Sequence, residues 1–435
     1  MNNPVVIASL DQEGRGVAQA EGKIIFIEGA LPGETVTYDT YRNKPSFELA
    51  KIGRIIKPVF TRVTPQCKHF GVCGGCSLQH MDARAQVAAK QRVLEDNFKH
   101  IGKVKPEIML PAIYGEVWGY RYRARFSVRY VAKKGGVLIG FHEKRSSFVA
   151  DMQICKIMPP HISALILPLR ELLVNLSIRD QIPQLEVSLG DKVNVMVLRI
   201  MEEPNRADKE ALKVFADHHR IQFFLQPGGA NTAYPFYPLD ETELSYTLPE
   251  FNISIPFHPT EFTQVNPTMN RMLVRSVVNL LNPQPKERMA DFFCGLGNFT
   301  LPVARHGTKV VGYEGNSETV QRARVNAKRN KLEENTQFIK ANLFEINEAW
   351  MEEQGFFSKM LIDPPRDGAA AVVNALGKKG LLPKRIVYVS CNPATLARDA
   401  EVLVHMKNYR LRAAGVINMF PHTAHIESIA LFDKL

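Results

Sequence analysis

The chain has 435 residues, enough for about three domains that each bury a sizeable core. Hydrophobic residues make up 45% and charged residues 23%, which excludes disordered, collagen-like and coiled-coil proteins. Lysine and arginine number 55 against 44 acidic residues, and the net charge of +11 favours a polyanionic partner, although a merely basic soluble enzyme would carry the same charge.

The sequence shows no membrane or export signal. No apolar run reaches the roughly 18 residues of a membrane span, and the longest candidate, 162–176, is interrupted by proline and charged residues. Residues 1–7 lack the charged and apolar regions of a secretory signal. We therefore expect a cytoplasmic protein without a membrane partner, and we expect a monomer.

Residues 1–58 predict a small β-barrel. Short apolar strands alternate with glycine turns at nearly even spacing, a pattern typical of such barrels. The expected strands are 5–10, 14–18, 23–27 and 34–38.

Four of the six cysteines form a candidate metal site: Cys67, Cys73, Cys76 and the distant Cys155. Without a secretory context, a disulfide framework is disfavoured, and metal binding or catalysis is favoured. Four thiolates suit a tetrahedral zinc ion or a four-iron cluster, and spacing alone does not choose between them. The gap of five residues between the first two cysteines is wider than the gap in radical enzymes, which argues against radical chemistry.

Next, a helix is expected over 82–101, with Gly102 as its C-cap. One possible position for it is against the catalytic domain. The central region is expected to be mostly β, with one helix at 163–176.

Residues 120–130 alternate basic and apolar side chains. In a strand, Arg121, Arg123, Arg125 and Arg129 share one face. We expect this face to bind phosphate groups, and a solvated strand face is the structural alternative.

From residue 259 onward, apolar strands alternate with helices. This rhythm predicts a doubly wound α/β domain that binds its ligands at the carboxyl ends of the strands. The expected strands are 288–293, 308–313, 337–341, 359–362 and 385–389.

A glycine loop follows the first of these strands. Gly295 and Gly297 permit a tight turn and the close approach of a ligand. Glu314 ends the next strand, where an acid can accept hydrogen bonds from ribose hydroxyls. Two glycines do not make a full dinucleotide fingerprint, but the combination favours an adenosyl ligand over a purely structural turn.

The strand at 359–362 ends in Asp363-Pro364-Pro365-Arg366. In methyltransferases that act on amino nitrogens, an aromatic residue follows such a motif and stacks on the flipped base. Arginine stands there instead, so amine methylation is disfavoured. Asp363 is expected to bond the base edge or the cofactor, and a turn fixed by prolines is the structural alternative.

Cys391 follows a buried-type strand and precedes a helix that starts at Pro393. We expect a partly exposed thiol whose pKa the helix N-terminus lowers, whereas Cys294 fits a buried inert thiol. A thiolate that adds to carbon 6 of a pyrimidine makes carbon 5 nucleophilic enough to take a methyl group.

A base must then remove the proton from carbon 5. Glu427 is the expected base, because burial can raise the pKa of a carboxylate to suit that task. The alternative is a solvated glutamate at the start of a strand. His422 and His425 are expected to be structural.

Together, the motifs at 293–299, 363–366, 390–393 and 425–427 resemble the RNA uracil-C5-methyltransferase family. The resemblance implies S-adenosylmethionine as methyl donor, Cys391 as nucleophile and Glu427 as base. It also implies cofactor contacts, from Gln264, Phe293, Asn298, Glu314, Asn342 and Asp363. At Asn342 the chain departs from the family, which usually has aspartate near the adenine at this position. An asparagine amide can still form hydrogen bonds there.

The cysteine quartet is similar to that of a subgroup acting on 23S rRNA, and this likeness implies a 4Fe-4S cluster. Residues 1–58 resemble a TRAM domain, an RNA-binding barrel. The expected domains are therefore an RNA-binding barrel at 1–58, an RNA-binding domain with the iron-sulfur site at 59–258, and a Rossmann-like catalytic domain at 259–435.

The expected function is therefore methyl transfer from S-adenosylmethionine to carbon 5 of a specific uridine in 23S rRNA. The alternatives are the same chemistry on another rRNA uridine or on the T-loop uridine of tRNA. A cytosine-C5 enzyme would also use a thiolate but resembles a different motif set. A non-catalytic RNA-binding metalloprotein is the alternative from another class.

Overall fold

The computed structural model describes residues 3–239, 243–377 and 382–435. Three large sheets, one in each successive part of the chain, organise these residues. Within the described ranges, no helix combines the length and the apolar character needed to cross a membrane.

In the first sheet, residues 5–10 form two short strands, one at each end of the strand order. Its members are β1 (Val5–Val6), β2 (Ser9–Leu10), β3 (Gly16–Ala20), β4 (Lys23–Glu28), β5 (Thr35–Asn43) and β6 (Phe47–Lys57). β1 pairs with β5, and β2 pairs with β3, so the two halves of the predicted strand 5–10 lie at opposite ends of the strand order. Ile7, Ile25 and Ile27 fill the interior. The four predicted strands correspond to β1 to β5, because the first of them contains both β1 and β2, and β6 was not predicted.

An irregular loop that carries Cys67, Cys73 and Cys76 leads to α1 (Ala83–His100). The side chain of Asp82 caps α1 by accepting the first free N–H groups. The predicted helix is thus confirmed, but its C-cap is Ile101 and not the predicted Gly102, which follows it. A side chain at Gly102 would clash with the carbonyl oxygen of Ala397, because a Cβ there would lie 2.6 Å from it.

The central part holds a six-stranded mixed sheet in the order β13-β12-β11-β10-β8-β9, and a ribbon of β14 and β15. Its strands are β8 (Arg123–Val131), β9 (Gly136–Gly140), β10 (Gln184–Leu189), β11 (Asn194–Arg199), β12 (Gln222–Gln226), β13 (Tyr234–Tyr237), β14 (Ser245–Leu248) and β15 (Ile253–Pro256). The preceding strand, β7 (Ile108–Met109), belongs to the third sheet.

The helices of this part differ from the prediction of one helix at 163–176. They are α2 (Pro160–Ser163), α3 (Ile166–Val174) and α4 (Arg206–His219). α4 connects β11 to β12, which run parallel, so a crossover helix is required there. The missed signal is the capping box in which Asn205 and Asp208 bond each other's backbone N–H groups.

The third sheet runs in the order β18-β17-β16-β19-β20-β22-β21-β7. Its strands are β16 (Arg288–Phe292), β17 (Lys309–Glu314), β18 (Thr336–Lys340), β19 (Lys359–Ile362), β20 (Arg385–Ser390), β21 (Tyr409–Ile417) and β22 (Glu427–Lys434). The covering helices are α5 (Pro267–Leu281), α6 (Thr300–Ala304), α7 (Ser317–Arg329), α8 (Glu348–Glu353), α9 (Ala370–Ala375) and α10 (Pro393–Glu401). The five strands predicted from the sequence are present within one residue at each end.

Strand direction determines where the functional side chains lie. β16 to β20 run parallel, so their carboxyl ends share one edge of the sheet. β22 is antiparallel to β20, and its first residue, Glu427, therefore lies at the same edge. We call this edge, with its loops, the catalytic edge.

α1 packs against the catalytic sheet although it precedes the central sheet in the chain. Val87, Leu94 and Phe98 of α1 share a buried core with Leu396 and Ala400 of α10. Through α1 and β7, the segment before the central sheet contacts the part of the molecule that carries Cys391.

Candidate active site

Three predicted side chains meet at the catalytic edge. Asp363 follows β19, Cys391 follows β20 and Glu427 begins β22. Ser390 pairs with Ser428 in the antiparallel register, so Cys391 and Glu427 occupy the next positions on neighbouring strands. Glu427 is 3% exposed, and Cys391 is half-buried.

Burial dominates the electrostatics of this group. It raises the pKa of Asp363 to about 7. Burial, together with the charge of Asp363, holds the pKa of Glu427 well above its ordinary value. Burial and the charges of Glu427 and Asp363 raise the pKa of the Cys391 thiol to about 11, although Arg366 opposes this shift.

The expected lowering of the Cys391 pKa is therefore wrong. The thiol lies beside the N-terminus of α10, as the sequence indicated, but two neighbouring carboxyl groups and the loss of solvent outweigh the helix. The Asn392 side chain also caps this terminus by accepting the N–H of Ala394 at 3.1 Å.

The loop 363–366 is tied to the loop that carries Cys391. The carbonyl oxygen of Arg366 accepts a hydrogen bond from the Asn392 amide at 3.0 Å. The Arg366 guanidinium lies 3.4 Å from Nδ1 of His425. Burial lowers the pKa of His425 to about 4, so this ring is neutral near pH 7.

The glycine loop turns through residues with positive φ. Phe293, Gly295 and Gly297 have φ values of 66°, 53° and 93°. The turn brings the N–H of Gly295 to 3.2 Å from the Glu314 carboxylate, which also accepts the N–H of Asn316. Phe293 faces the ring of Phe344 at a centroid distance of 5.7 Å.

Asn298 is fixed by neighbours that the sequence did not reveal. Its amide and that of Asn270 exchange two hydrogen bonds of 2.9 Å. The Tyr246 hydroxyl also donates to the Asn298 carbonyl oxygen at 2.9 Å. One amide N–H of Asn298 takes no part in these three bonds.

The other two predicted cofactor residues lie on loops. Asn342 is exposed, follows β18 and accepts the N–H of Phe344. Gln264 is half-buried on the loop that enters α5. This loop is anchored where the carbonyl oxygen of Val265 accepts the N–H of Tyr122 at 2.8 Å.

Asp291 is a site residue that the sequence interpretation missed. Its carboxyl is buried at the end of β16, and one oxygen accepts the Thr300 hydroxyl at 2.5 Å. The other oxygen has no hydrogen-bond partner among the described residues. Burial, together with the charges of Asp363 and Glu314, raises the pKa of Asp291 to about 7. The available signal was an acidic residue at the end of an otherwise apolar strand.

The four predicted metal ligands line one small cavity of about 20 Å³. Cys73, Cys76 and Cys155 are buried, and Cys67 is half-buried. Burial raises the pKa of the free Cys76 thiol to about 11 and that of Cys155 to about 12. In the described ranges, no group of three or more His, Cys, Asp or Glu is close enough to hold a metal ion. The metal centre therefore stays a prediction.

The predicted cationic face is partly neutralised. Glu186 of β10 lies opposite Arg125 in the sheet register and pairs with Arg123 at 2.8 Å and with Arg125 at 3.3 Å. Arg121 precedes β8 and lies over the ring of Phe141 instead. The exposed arginines of β8 are Arg125 and Arg129. The sequence of a single strand cannot show an acid on its neighbour.

A family model described as tRNA (Uracil-5-)-methyltransferase matches residues 82–435. A protein of Nitrosospira multiformis named 23S rRNA (uracil(1939)-C(5))-methyltransferase RlmD is 72% identical over 434 residues, which cover 100% of this chain and 99% of the relative. A protein of the same name from Cupriavidus pinatubonensis is 57% identical and is covered to 96%, again with 100% of this chain.

A solved structure with the same fold is that of the Pyrococcus abyssi tRNA (uracil-54, C5)-methyltransferase in complex with S-adenosyl-L-homocysteine. The TM-score is 0.74, and the match covers 99% of this chain and 100% of the other. Sequence identity is 22%, so this likeness concerns the fold alone.

Proposed function

The chain belongs to the tRNA (uracil-5-)-methyltransferase family, and from this premise we propose that it transfers a methyl group from S-adenosylmethionine to carbon 5 of a uridine in 23S rRNA. The names of the full-length relatives support rRNA as the substrate. The observation that carries the chemistry is the placement of Cys391 beside Glu427 at the edge that also holds the glycine loop.

The chemistry of the site suits the cofactor. Its sulfonium and ammonium groups are cationic, and the carboxyl groups of Asp363 and Glu314 lie close enough to Asp291 to raise its pKa. The free oxygen of Asp291 is an orphaned buried acceptor that a cationic ligand would satisfy.

The remaining cofactor contacts follow from the loops at this edge. Glu314 would accept hydrogen bonds from the ribose hydroxyls, and Phe293 would pack against the adenosyl group. Asn298, Asn342 and Gln264 would add polar contacts. When bound, S-adenosylmethionine supplies an electrophilic methyl group to the crevice.

Cys391 and Glu427 would act in sequence. The Cys391 sulfur would form a bond to carbon 6 of the uracil, and electron density would move to carbon 5. Carbon 5 would then take the methyl group as its bond to the sulfonium sulfur breaks, which leaves the donor as a neutral thioether. Glu427, which acts in its ionised form, would then remove the proton from carbon 5. The electrons of that C–H bond would form the double bond between carbons 5 and 6 as the bond between Sγ and carbon 6 breaks. In the resting site the proton lies on sulfur, and Asp363, whose pKa is about 7, is a neighbouring group that can accept it.

We also propose that Cys67, Cys73, Cys76 and Cys155 hold a 4Fe-4S cluster. The four thiols line one cavity, and neighbouring thiols raise one another's pKa, so they lie close together. Thiolates are ligands of zinc and of four-iron clusters alike, and the likeness of the quartet to that of the 23S rRNA subgroup favours the cluster. Protein purified without oxygen should contain about four irons and as many acid-labile sulfides per chain. Stoichiometric zinc would contradict the cluster.

RNA would contact the N-terminal barrel and the exposed Arg125 and Arg129. Arginines that neutralise phosphate groups release counterions from the RNA, so the affinity for RNA falls steeply as the salt concentration rises. The double variant Arg125→Ala, Arg129→Ala should therefore bind rRNA more weakly and show a shallower salt dependence than the wild type.

The experiment that tests the function is nucleoside mass spectrometry with site mapping. Total RNA that lacks 5-methyluridine is incubated with the protein and S-adenosylmethionine, alongside Cys391→Ala. We expect one new 5-methyluridine in 23S rRNA, absent with the variant. A product in tRNA would support the proposed reaction but contradict 23S rRNA as its substrate. The absence of any product would support the non-catalytic alternative.

A further inference from the structure

Glu427 has little local support of its own. None of the hydrogen bonds in the described ranges involves its carboxyl group, which is buried. Its position therefore depends on β22 and on the preceding residues 418–426, which we call the base loop. The backbone of this loop is strained at His422, whose φ of 65° lies in the left-handed region that residues other than glycine rarely adopt. Such a conformation persists only where its surroundings hold it.

Lys90 of α1 reaches the base loop from outside the catalytic sheet. Its ammonium group donates to Oδ1 of Asn418 at 2.9 Å and to the carbonyl oxygen of Phe420 at 2.8 Å. Lys90 is 4% exposed, and no acidic side chain in the described ranges forms an ion pair with it. Burial lowers its pKa to about 7. Burying a lysine without an acidic partner costs free energy, and the two hydrogen bonds to the base loop offset that cost.

Gln86 lies one helical turn before Lys90 and contacts His422, the residue with the positive φ. Its carbonyl oxygen accepts the N–H of His422 at 2.8 Å, and its amide nitrogen lies 3.1 Å from Nδ1 of the same residue. The ring of His422 is stacked on Trp118 at a centroid distance of 3.9 Å. Gln86 is fully buried, so these bonds are shielded from water.

The loop that carries the cysteines holds the other side of the base loop. The N–H groups of Ser77 and Leu78, directly after Cys76, both donate to the carbonyl oxygen of His422 at 2.9 Å. The Ser77 hydroxyl accepts the N–H of Ala424 at 3.0 Å. The base loop is thus held between α1 and the cysteine loop.

We propose that Lys90 and Gln86 are positioning residues that hold the base loop so that Glu427 reaches the proton on carbon 5. The inference rests on the proposed function, because it assigns a task within that reaction. This positioning role would affect one step of the reaction and not the other. Addition of Cys391 to the uracil does not need the base loop in place, whereas proton removal and release of the RNA do.

The test compares Lys90→Met, which keeps the length of the side chain and removes its donor, with Lys99→Met, an exposed position on the same helix. Single-turnover reactions with rRNA follow two quantities, the covalent protein–RNA adduct on a denaturing gel and the released 5-methyluridine. With Lys90→Met, we expect adduct formation near the wild-type rate and release slowed about tenfold or more. The KM for RNA should stay within about twofold, and Lys99→Met should match the wild type.

A second variant keeps the test decisive if Lys90→Met does not fold. Asn418→Ala removes one acceptor and leaves Lys90 its bond to the carbonyl oxygen of Phe420. It should show the same accumulation of adduct, and melting curves establish that each variant is folded at the assay temperature. Equal slowing of both steps, or wild-type release in folded variants, would overturn the positioning role. A wild-type protein without adduct or product would instead overturn the proposed function.

Discussion

Cys391 and Glu427 stand next to each other on two antiparallel strands, one position beyond the pair formed by Ser390 and Ser428. The antiparallel direction of β22 is what brings the base to the edge where the parallel strands end. Because Glu427 is buried and Cys391 is half-buried beside it, each favours its neutral form in the absence of substrate.

The resting state of Cys391 leads to a first prediction. Its pKa of about 11 means that the thiolate fraction, and with it the rate of alkylation by iodoacetamide, rises about tenfold per pH unit between pH 7 and 9. The rate is obtained by mass spectrometry of the peptide that contains Cys391. Asp363→Asn removes a negative neighbour and should shift the profile to lower pH. A plateau below pH 8 would mean that the helix N-terminus prevails.

Glu427→Gln should separate the two halves of the reaction. The amide cannot accept the proton from carbon 5, so turnover should fall about 10²- to 10⁴-fold while the adduct with Cys391 accumulates. The adduct is measured on denaturing gels with labelled RNA, and Glu401→Gln, at the distant end of α10, serves as control. Loss of adduct together with product would contradict the assigned role.

Asn270→Ala should weaken cofactor binding without touching the cofactor. It deprives Asn298 of two of its three hydrogen bonds and leaves the one from the Tyr246 hydroxyl, so the orientation of that side chain is less well fixed. We expect a loss of about 1 kcal/mol, or about fivefold in Kd for S-adenosylmethionine, by titration calorimetry. Asn374→Ala, on the exposed side of α9, should leave the Kd unchanged, and an unchanged Kd for Asn270→Ala would show that the bonds from Asn270 do not position Asn298 for binding.

Arg62→Ala should destabilise the N-terminal barrel. Arg62 bonds the buried Glu34 at 2.5 and 2.7 Å and the carbonyl oxygen of Gly29 at 2.6 Å. Breaking such a pair leaves a buried carboxylate alone, at a cost of about 2 to 3 kcal/mol, because Arg62 is partly exposed. Thermal unfolding at pH 7 measures the loss, with the exposed Arg54→Ala as control.

The pH dependence of this pair has a definite sign. Burial tends to raise the pKa of Glu34, but the bonds from Arg62 and the Leu31 N–H outweigh it and hold the pKa below 4.5. Stability from the pair is therefore present above that value and is lost as the pH falls through the lowered pKa. The difference between Arg62→Ala and the wild type should shrink at acid pH. A constant difference would show that the charge of Glu34 is not involved.

Local patterns predicted the parts of the molecule that local physics controls. The strand at 359–362 is confirmed to the residue, and α1 (Ala83–His100) lies within one residue of the predicted helix 82–101 at each end. The convergence of Asp363 and Cys391 followed from the rule that parallel strands share an edge. These features depend on periodicity, capping and strand direction, all of which a sequence displays.

Features that depend on distant partners were not predictable in this way. Glu186 neutralises arginines about sixty residues earlier in the chain, and Lys90 bonds a residue 328 positions away. The pKa of Cys391 was misjudged for the same reason, since the helix N-terminus is local whereas burial and Glu427 are tertiary.

The most direct test of the central claim uses rRNA that carries 5-fluorouridine. Fluorine cannot be removed from carbon 5 as a proton, so the adduct formed after methyl transfer should persist. Mass spectrometry of the digested complex should find one methylated nucleotide, from 23S rRNA, attached to the peptide that contains Cys391. A methylated product without an adduct, or an adduct on another residue, would contradict nucleophilic catalysis by Cys391.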